Sequence, residues 1–448
     1  MKKPFDLLIT NAQTLVPDSA SPYGLKETQI NIGVLDGKIV DLAPSSSAEA
    51  LKVFDARGLT VLPGLIDSQV HFREPGLEHK EDLQTGSRAA IMGGITTVFE
   101  MPNTNPSTTT AEALADKLKR AQGRMWCDHA FFVGGSHENA DRTAELEILP
   151  GTPGIKIFMG SSTGSLLVED DDTLARALKS GKRRVAIHSE DEYILRERKE
   201  IAVKSGDPKD HPIWRNVDSA LSSTKRLIAL AEKNNRPVHV LHISSDEEME
   251  FLKNHKRLAT VEVLPQHLTF FAPDIYEKLG TKAQQNPPIR EKRHLEGLWK
   301  ALRAGVVDVI GSDHAPHTLE EKSRPYPTSP SGMPMVQTTV PLMLTHVNAG
   351  KLPLAHFVSL MTEGPRKIFG LQNKGRIEVG SDADFTIVDL QKKKRIEKNW
   401  LASKAGWSPL EGFEAHGWPV GTLIHGEWVM RDEQVLESPK GLPVKFKS

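Results

Sequence analysis

Eight short apolar runs, most of them separated by helix-forming sequence, restrict this chain more than any other feature. They cover residues 61–71, 95–102, 129–134, 154–159, 184–189, 237–243, 260–265 and 306–313. Each has the length and apolar character of one buried strand. Residues 111–121 and 219–232 are the plainest of the helical stretches between them. Eight strand–helix units in about 300 residues predict an α/β chain, a (β/α)8 TIM barrel somewhat enlarged by insertions. An open doubly wound sheet is the structural alternative. The two ends of the chain have a different texture. Residues 6–12, 30–34, 37–42, 375–390 and 422–430 read as short strands, and Asp36-Gly37 is a hairpin signal. The simplest account is a small β-sandwich domain formed by both termini, residues 1–60 together with 366–448, beside a barrel domain at 61–365.

Bulk properties exclude more than they assign. The chain has 448 residues and a formal charge of -1. Such a balance gives no electrostatic ground for nucleic acid or an anionic membrane as partner. Residues 1–6 lack the apolar core of a signal peptide, and no segment is expected to span a bilayer, so a cytoplasmic protein is expected. Cys127 is the single cysteine against 17 histidines. There is thus no thiolate cluster, and a metal site here must use imidazole, carboxylate or modified side chains.

Barrel enzymes carry their chemistry at the C-terminal ends of the strands. The run 61–76 ends in Asp67, Ser68, Gln69, His71 and Arg73. Strand alternation would set Gln69, His71 and Arg73 on one face. The second run exits at Asn103, the fifth at His188, the sixth at His242 and the eighth at Asp313, while Lys156 lies within the fourth. One imidazole alone is more often structural. Three imidazoles, a lysine and an aspartate at matching exits form a more specific pattern.

Lys156 sits between Ile155 and Ile157, where an ammonium is costly and its pKa falls. It either snorkels outward, pairs with an acid, or serves as a neutral amine. A neutral amine can form a Schiff base, act as a base, or take up CO2 as a carbamate that bridges cations. Neighbouring histidines and the lack of cysteine ligands favour the carbamate. Asp313 lies in Gly311-Ser312-Asp313-His314-Ala315-Pro316-His317. A helix N-cap is its ordinary reading, although Ser312 or Thr318 would serve as well.

Over nearly its whole length the chain resembles the dihydroorotases of the amidohydrolase superfamily. The resemblance rests on Pro63 to Gly76, Met101-Pro102-Asn103-Thr104-Asn105-Pro106, Gly154-Ile155-Lys156-Ile157-Phe158, His188-Ser189-Glu190 and Leu241-His242-Ile243-Ser244-Ser245. It extends to Asn286-Pro287-Pro288-Ile289-Arg290, Ser312 to His317, Ser329 to Pro334, and Ser408 to Gly412. It implies a zinc-dependent cyclic amide hydrolase with His71, carboxylated Lys156, His188, His242 and Asp313 around the metal. Water made acidic by the metal would attack the ring carbonyl, and Asp313 would pass its proton to the leaving ring nitrogen. In the biosynthetic direction the same groups would close N-carbamoyl-L-aspartate into dihydroorotate. Arg73, Asn103 and His317 would hold the substrate carboxylate, and Asn286 would contact the ring. Hydantoinases act on similar rings lacking that carboxylate, so the trio favours dihydroorotate over a hydantoinase or allantoinase.

The chain departs from the family pattern at two places. Gln69-Val70-His71 stands where His-x-His is usual, and Gln266 stands before His267 where two histidines are common. An amide oxygen is a weaker zinc ligand than imidazole, which leaves one or two ions per subunit as the expectation. Dihydroorotase-like chains without metal ligands exist as structural partners of aspartate transcarbamoylase. Such chains have typically shed several ligands, whereas five of six remain here, together with Asp313 and the carboxylate trio. An active enzyme is therefore expected, as a homo-oligomer, with aspartate transcarbamoylase as a candidate partner.

Overall fold

The computed structural model describes residues 3–161, 166–436 and 438–447. Its centre is a closed barrel of eight parallel strands. They are Leu65–Val70, Ile95–Glu100, Asp128–Phe131 continued by Val133–Gly134, Ile155–Phe158, Val185–His188, Val238–Val240, Ala259–Val263 and Val309–Ile310. A parallel bridge from Val70 to His314 joins the first strand to the end of the eighth, and the His71 N–H donates to the His314 carbonyl at 2.7 Å. Closure removes the free edges that an open sheet would leave. The doubly wound alternative is thereby excluded.

Helices between the strands follow local signals. The helix Ala111–Ala121 starts at Thr110, whose hydroxyl accepts from the Ala113 N–H at 3.2 Å. Glu112 occupies its first turn and Lys119 and Arg120 its last, matching the helix dipole. Helix Val217–Lys233 is capped by Asn216 and lays Leu227, Ile228 and Ala231 against the barrel. The aspartate at 313 is not a cap. Thr318 caps the next helix, Leu319–Lys322, in a reciprocal pair with Glu321.

The apolar run 61–71 is two strands rather than one. Thr60–Pro63 pairs with Phe385–Val388 and with the N-terminal strand, while Leu65–Val70 enters the barrel. Gly64 marks the change of sheet. A Cβ there would lie 2.5 Å from Thr96 Oγ1 and 2.8 Å from Asp384 Cβ. The sheet that Thr60–Pro63 joins has nine strands from both ends of the chain. Phe5–Pro17, Leu25–Leu35, Lys38–Asp41 and Ala50–Asp55 lie on one side of it, with Phe385–Arg395, Glu414–Ile424, Glu427–Arg431 and Gln434–Val435 on the other. Ile9, Ile32, Val34, Val61, Phe385, Ile387 and Leu423 from both halves meet in one apolar cluster. Asp36 and Gly37 have φ of 50° and 73°, the left-handed pair that a two-residue hairpin needs.

Two features tie this sheet to the barrel. Lys374, nearly buried, reaches Asp382 Oδ2 at 2.8 Å and Asp384 Oδ2 at 2.6 Å and also bonds Asp128 of the third barrel strand. His425 Nε2 lies 3.1 Å from Asp128 Oδ1. The chain's last segment then returns to the barrel floor, where the Val444 N–H donates to the His129 carbonyl at 3.0 Å. Val444 and Phe446 pack with Phe99, Phe132, Phe369 and Leu371 beneath the barrel interior. Among the described residues no helix is long and apolar enough to cross a membrane.

Candidate active site

At the opposite mouth the strand exits converge. His71 Nε2 lies 3.1 Å from Asp313 Oδ1, and Gln69 Nε2 donates to the same oxygen at 3.0 Å. Gln69 and His71 therefore share a face, as alternation requires. Arg73 does not belong to that alternation. The strand ends at Val70, and Arg73 adopts φ of 66°, which turns its guanidinium towards Pro316 and His317. His242 and Asp313 are also left-handed, at 41° and 46°. Left-handed backbone at such residues is costly and persists where the surroundings fix it. The His242 N–H is held by Glu262 Oε1 at 3.2 Å, and Asp67 Oδ1 accepts from the Ser312 N–H at 3.0 Å beside Asp313.

Hydrogen bonds assign the tautomers. His71 Nδ1 lies 2.8 Å from Asn103 Oδ1, an acceptor, so its proton sits on Nδ1 and a lone pair on Nε2 faces Asp313. Two acceptors facing one another at 3.1 Å call for a cation between them. His188 Nε2 donates to Glu190 Oε2 at 3.0 Å, which leaves Nδ1 bare and 3.0 Å from His242 Nε2. That spacing is close to the about 3.3 Å edge of a tetrahedron with about 2.0 Å metal–nitrogen bonds. Lys156 Nζ and His242 Nδ1 are buried with no hydrogen-bond partner among the described residues. Lys156 thus neither snorkels nor pairs. Its ammonium lies 4.4 Å above the Phe158 ring. The donors form two close pairs, His71 with Asp313 and His188 with His242, and their chemistry, with the unpartnered Lys156 amine, suits a metal ion that would satisfy His188 Nδ1, His242 Nε2 and the lysine.

Burial governs the charges. It brings the Lys156 amine down to about 7, against the pull of Asp313 and Glu262. Burial also raises Glu262 to about 8 and Asp67 to about 7. It would raise Asp313 too, but His71, His242 and Lys156, when protonated, overcome it and hold that carboxyl well below the carboxylate range. Burial pushes His71, His188 and His242 below the ordinary imidazole value, as neutral ligands require.

A second group of donors lies alongside. Arg73 Nη2 is 3.2 Å from His317 Nε2, and Arg73 Nε donates to the Pro316 carbonyl at 3.1 Å. Asn103 stands at His71 Nδ1, with its Oδ1 2.8 Å away. Asn286 has another partner, His211, whose Nε2 lies 3.0 Å from the Asn286 Oδ1. Gln266 donates to the Ser312 carbonyl at 3.0 Å and so supports the Asp313 turn.

Several residues here were not singled out from sequence. Glu190 follows His188 by two positions, and that His-x-Glu spacing at a strand exit was the available signal. Its partner Arg215, 2.5 Å away at Glu190 Oε2, comes from a distant turn and carries no such signal. Glu262, Lys80, Glu321 and the buried Lys322 are similar. Lys322 donates to the Gln284 carbonyl at 3.2 Å and the Pro330 carbonyl at 2.8 Å, joining two loops near the mouth.

The barrel and this constellation define an enzyme of the amidohydrolase type. The amidohydrolase family model matches residues 60–429, and the chain belongs to that family. Curated relatives at 33–37% identity carry the name dihydroorotase. A dihydroorotase from Methanothermobacter thermautotrophicus is 37% identical over 92% of this chain and 93% of its own length. A dihydroorotase from Bacillus cytotoxicus is 33% identical over 90% and 94%. Among solved structures, an L-hydantoinase (dihydropyrimidinase) from Arthrobacter aurescens superposes with a TM-score of 0.91 at 30% identity, covering 98% of this chain and 99% of that one.

Proposed function

We propose that the chain is a dihydroorotase. It interconverts dihydroorotate and N-carbamoyl-L-aspartate in pyrimidine synthesis, opening a cyclic amide in one direction and closing it with loss of water in the other. The observation that carries this reading is the kinship to dihydroorotases over nine-tenths of the chain, joined to a pair of adjacent cationic and imidazole donors suited to a carboxylate.

The residues have separable tasks. His71, Lys156 as its carbamate, His188, His242 and Asp313 would hold zinc, as one ion or two. When bound, the ion supplies a Lewis acid that lowers the pKa of water and polarises a carbonyl. Asp313 accepts the proton of the attacking water as the new C–O bond forms, then returns it to the ring nitrogen as the C–N bond breaks. Oδ1 already accepts from Gln69 and faces His71, so Oδ2 is the atom free to carry that proton. Arg73, Asn103 and His317 bind the substrate carboxylate. Asn286 contacts the ring from its place beside His211. Gln69 Nε2 donates to Asp313, and its Oε1, buried without a partner among the described residues, is a weaker ligand than imidazole, which favours one strongly held ion.

The reading extends to a cytoplasmic homo-oligomer, in keeping with one buried thiol and no disulfide. It leaves association with aspartate transcarbamoylase to be tested by co-elution. The deciding experiment is turnover of dihydroorotate, hydantoin and allantoin by purified protein, with and without chelator, alongside metal analysis. Chelator-sensitive turnover of dihydroorotate above the other two is expected. Inert, metal-free protein would overturn the reading in favour of a scaffold. Faster opening of hydantoin or allantoin would overturn it in favour of another ring amidohydrolase.

A further inference from the structure

Behind the carboxylate-binding pair lies a lysine with no assigned task. Lys80 Nζ is 3.2 Å from His317 Nδ1 and 3.1 Å from Glu321 Oε1, with a side chain only 14% exposed. An ammonium can only donate, so Nδ1 of His317 must be the acceptor and the ring proton must sit on Nε2. Nε2 also lies 3.0 Å from the Ser331 carbonyl, which agrees with a proton there. Arg73 Nη2 and His317 Nε2 are then two donors side by side, 3.2 Å apart. One anionic oxygen between them accepts from both, the ring N–H being shared with the Ser331 carbonyl.

The opposite tautomer has a ready sponsor. Glu321 Oε2 lies 3.7 Å from His317 Nδ1, and the same carboxylate is bonded by the Thr318 N–H and approached by His79. Without Lys80 to engage Glu321 and Nδ1, that carboxylate would draw the ring proton to Nδ1. Nε2 would then present a lone pair to the substrate and repel it. The Trp407 indole, donating to the His317 carbonyl at 2.8 Å, holds the residue in place in either state.

We propose that Lys80 is a positioning residue for substrate choice: it locks His317 as the Nε2–H tautomer, so that the site prefers rings bearing a carboxylate. The inference rests on the dihydroorotase reading above. It is tested with Lys80→Met and Lys80→Arg in the metal-loaded full chain, using dihydroorotate and dihydrouracil, which has the same ring without the carboxylate. Lys80→Met should raise KM for dihydroorotate about tenfold, with kcat changed by less than about twofold, as loss of one charge-assisted contact implies. Its activity towards dihydrouracil should stay at the wild-type level, and Lys80→Arg should restore most of the KM. Nitrogen-15 spectra of histidine-labelled protein at mildly alkaline pH should show the His317 bare nitrogen move from Nδ1 to Nε2 in Lys80→Met. An unchanged KM, an unchanged tautomer, or equal losses on both substrates would overturn the proposal. Failure of the wild type to turn over dihydroorotate would instead overturn the functional reading on which it stands.

Discussion

Asp313 has to be a carboxylate at rest and a proton carrier in the reaction, and its surroundings supply the first condition. The Gln69 amide donates to it, and neighbouring positive charge keeps it ionised in a place where burial opposes it. Asp313→Asn keeps shape and volume but has no basic oxygen. Turnover is expected to fall by more than about a thousandfold while bound metal, measured by elemental analysis, stays near the wild-type amount. Unaltered rates would remove the proton role. Glu363 gives a test of a different residue, far from the mouth. Arg376 and Arg366 bond this buried carboxylate at distances down to 2.5 Å and hold it at about 2 against burial, compared with its ordinary 4.5. A depressed carboxylate pKa contributes stability above the ordinary value and loses it as pH falls towards the folded value. Glu363→Gln should therefore cost about 2 kcal/mol in urea unfolding at pH 6 and much less near pH 3. Equal costs at the two pH values would show that the charge is irrelevant.

At the scale of elements, the strands and the clearest helices could be read from the chain because their causes are local. Residues 111–121 carry a cap, a charge order and an apolar stripe within one window, and Ala111–Ala121 is the helix found. The strand runs are apolar because helices cover them outside and packed side chains fill them inside. What could not be read was the break at Gly64, since Val61-Leu62-Pro63 and Leu65-Ile66 are equally apolar although they serve different sheets. Only the crowding by Thr96 and Asp384 explains the glycine. Gly64→Ala should cost about 1–3 kcal/mol in denaturant unfolding, as overpacking does. Wild-type stability in that variant would mean the two sheets can part there. The candidate site divides in the same way. His71, His188, His242 and Asp313 stand at strand ends where sequence order exposes them. The Glu190–Arg215 and Lys80–Glu321 pairs join residues whose nearness is made only by folding.

For the molecule as a whole, the junction between sheet and barrel rests on one buried cation. Lys374 serves Asp128, Asp382 and Asp384 at once, with His425 supplying further positive charge to Asp128. Lys374→Met would leave carboxylates buried without their counter-ion, which commonly costs about 3–5 kcal/mol. The expected result is a fall in thermal midpoint, without loss of metal at the distant mouth. An unchanged midpoint would mean that His425, at Asp128, and Lys38, which bonds Asp382, suffice. The returning tail has a practical corollary. Residues 442–446 run under the floor, with Val444 buried there, so the catalytic opening faces the other way. A support or bulky label fixed to that segment would grip the molecule from below, leaving small molecules unhindered passage from above.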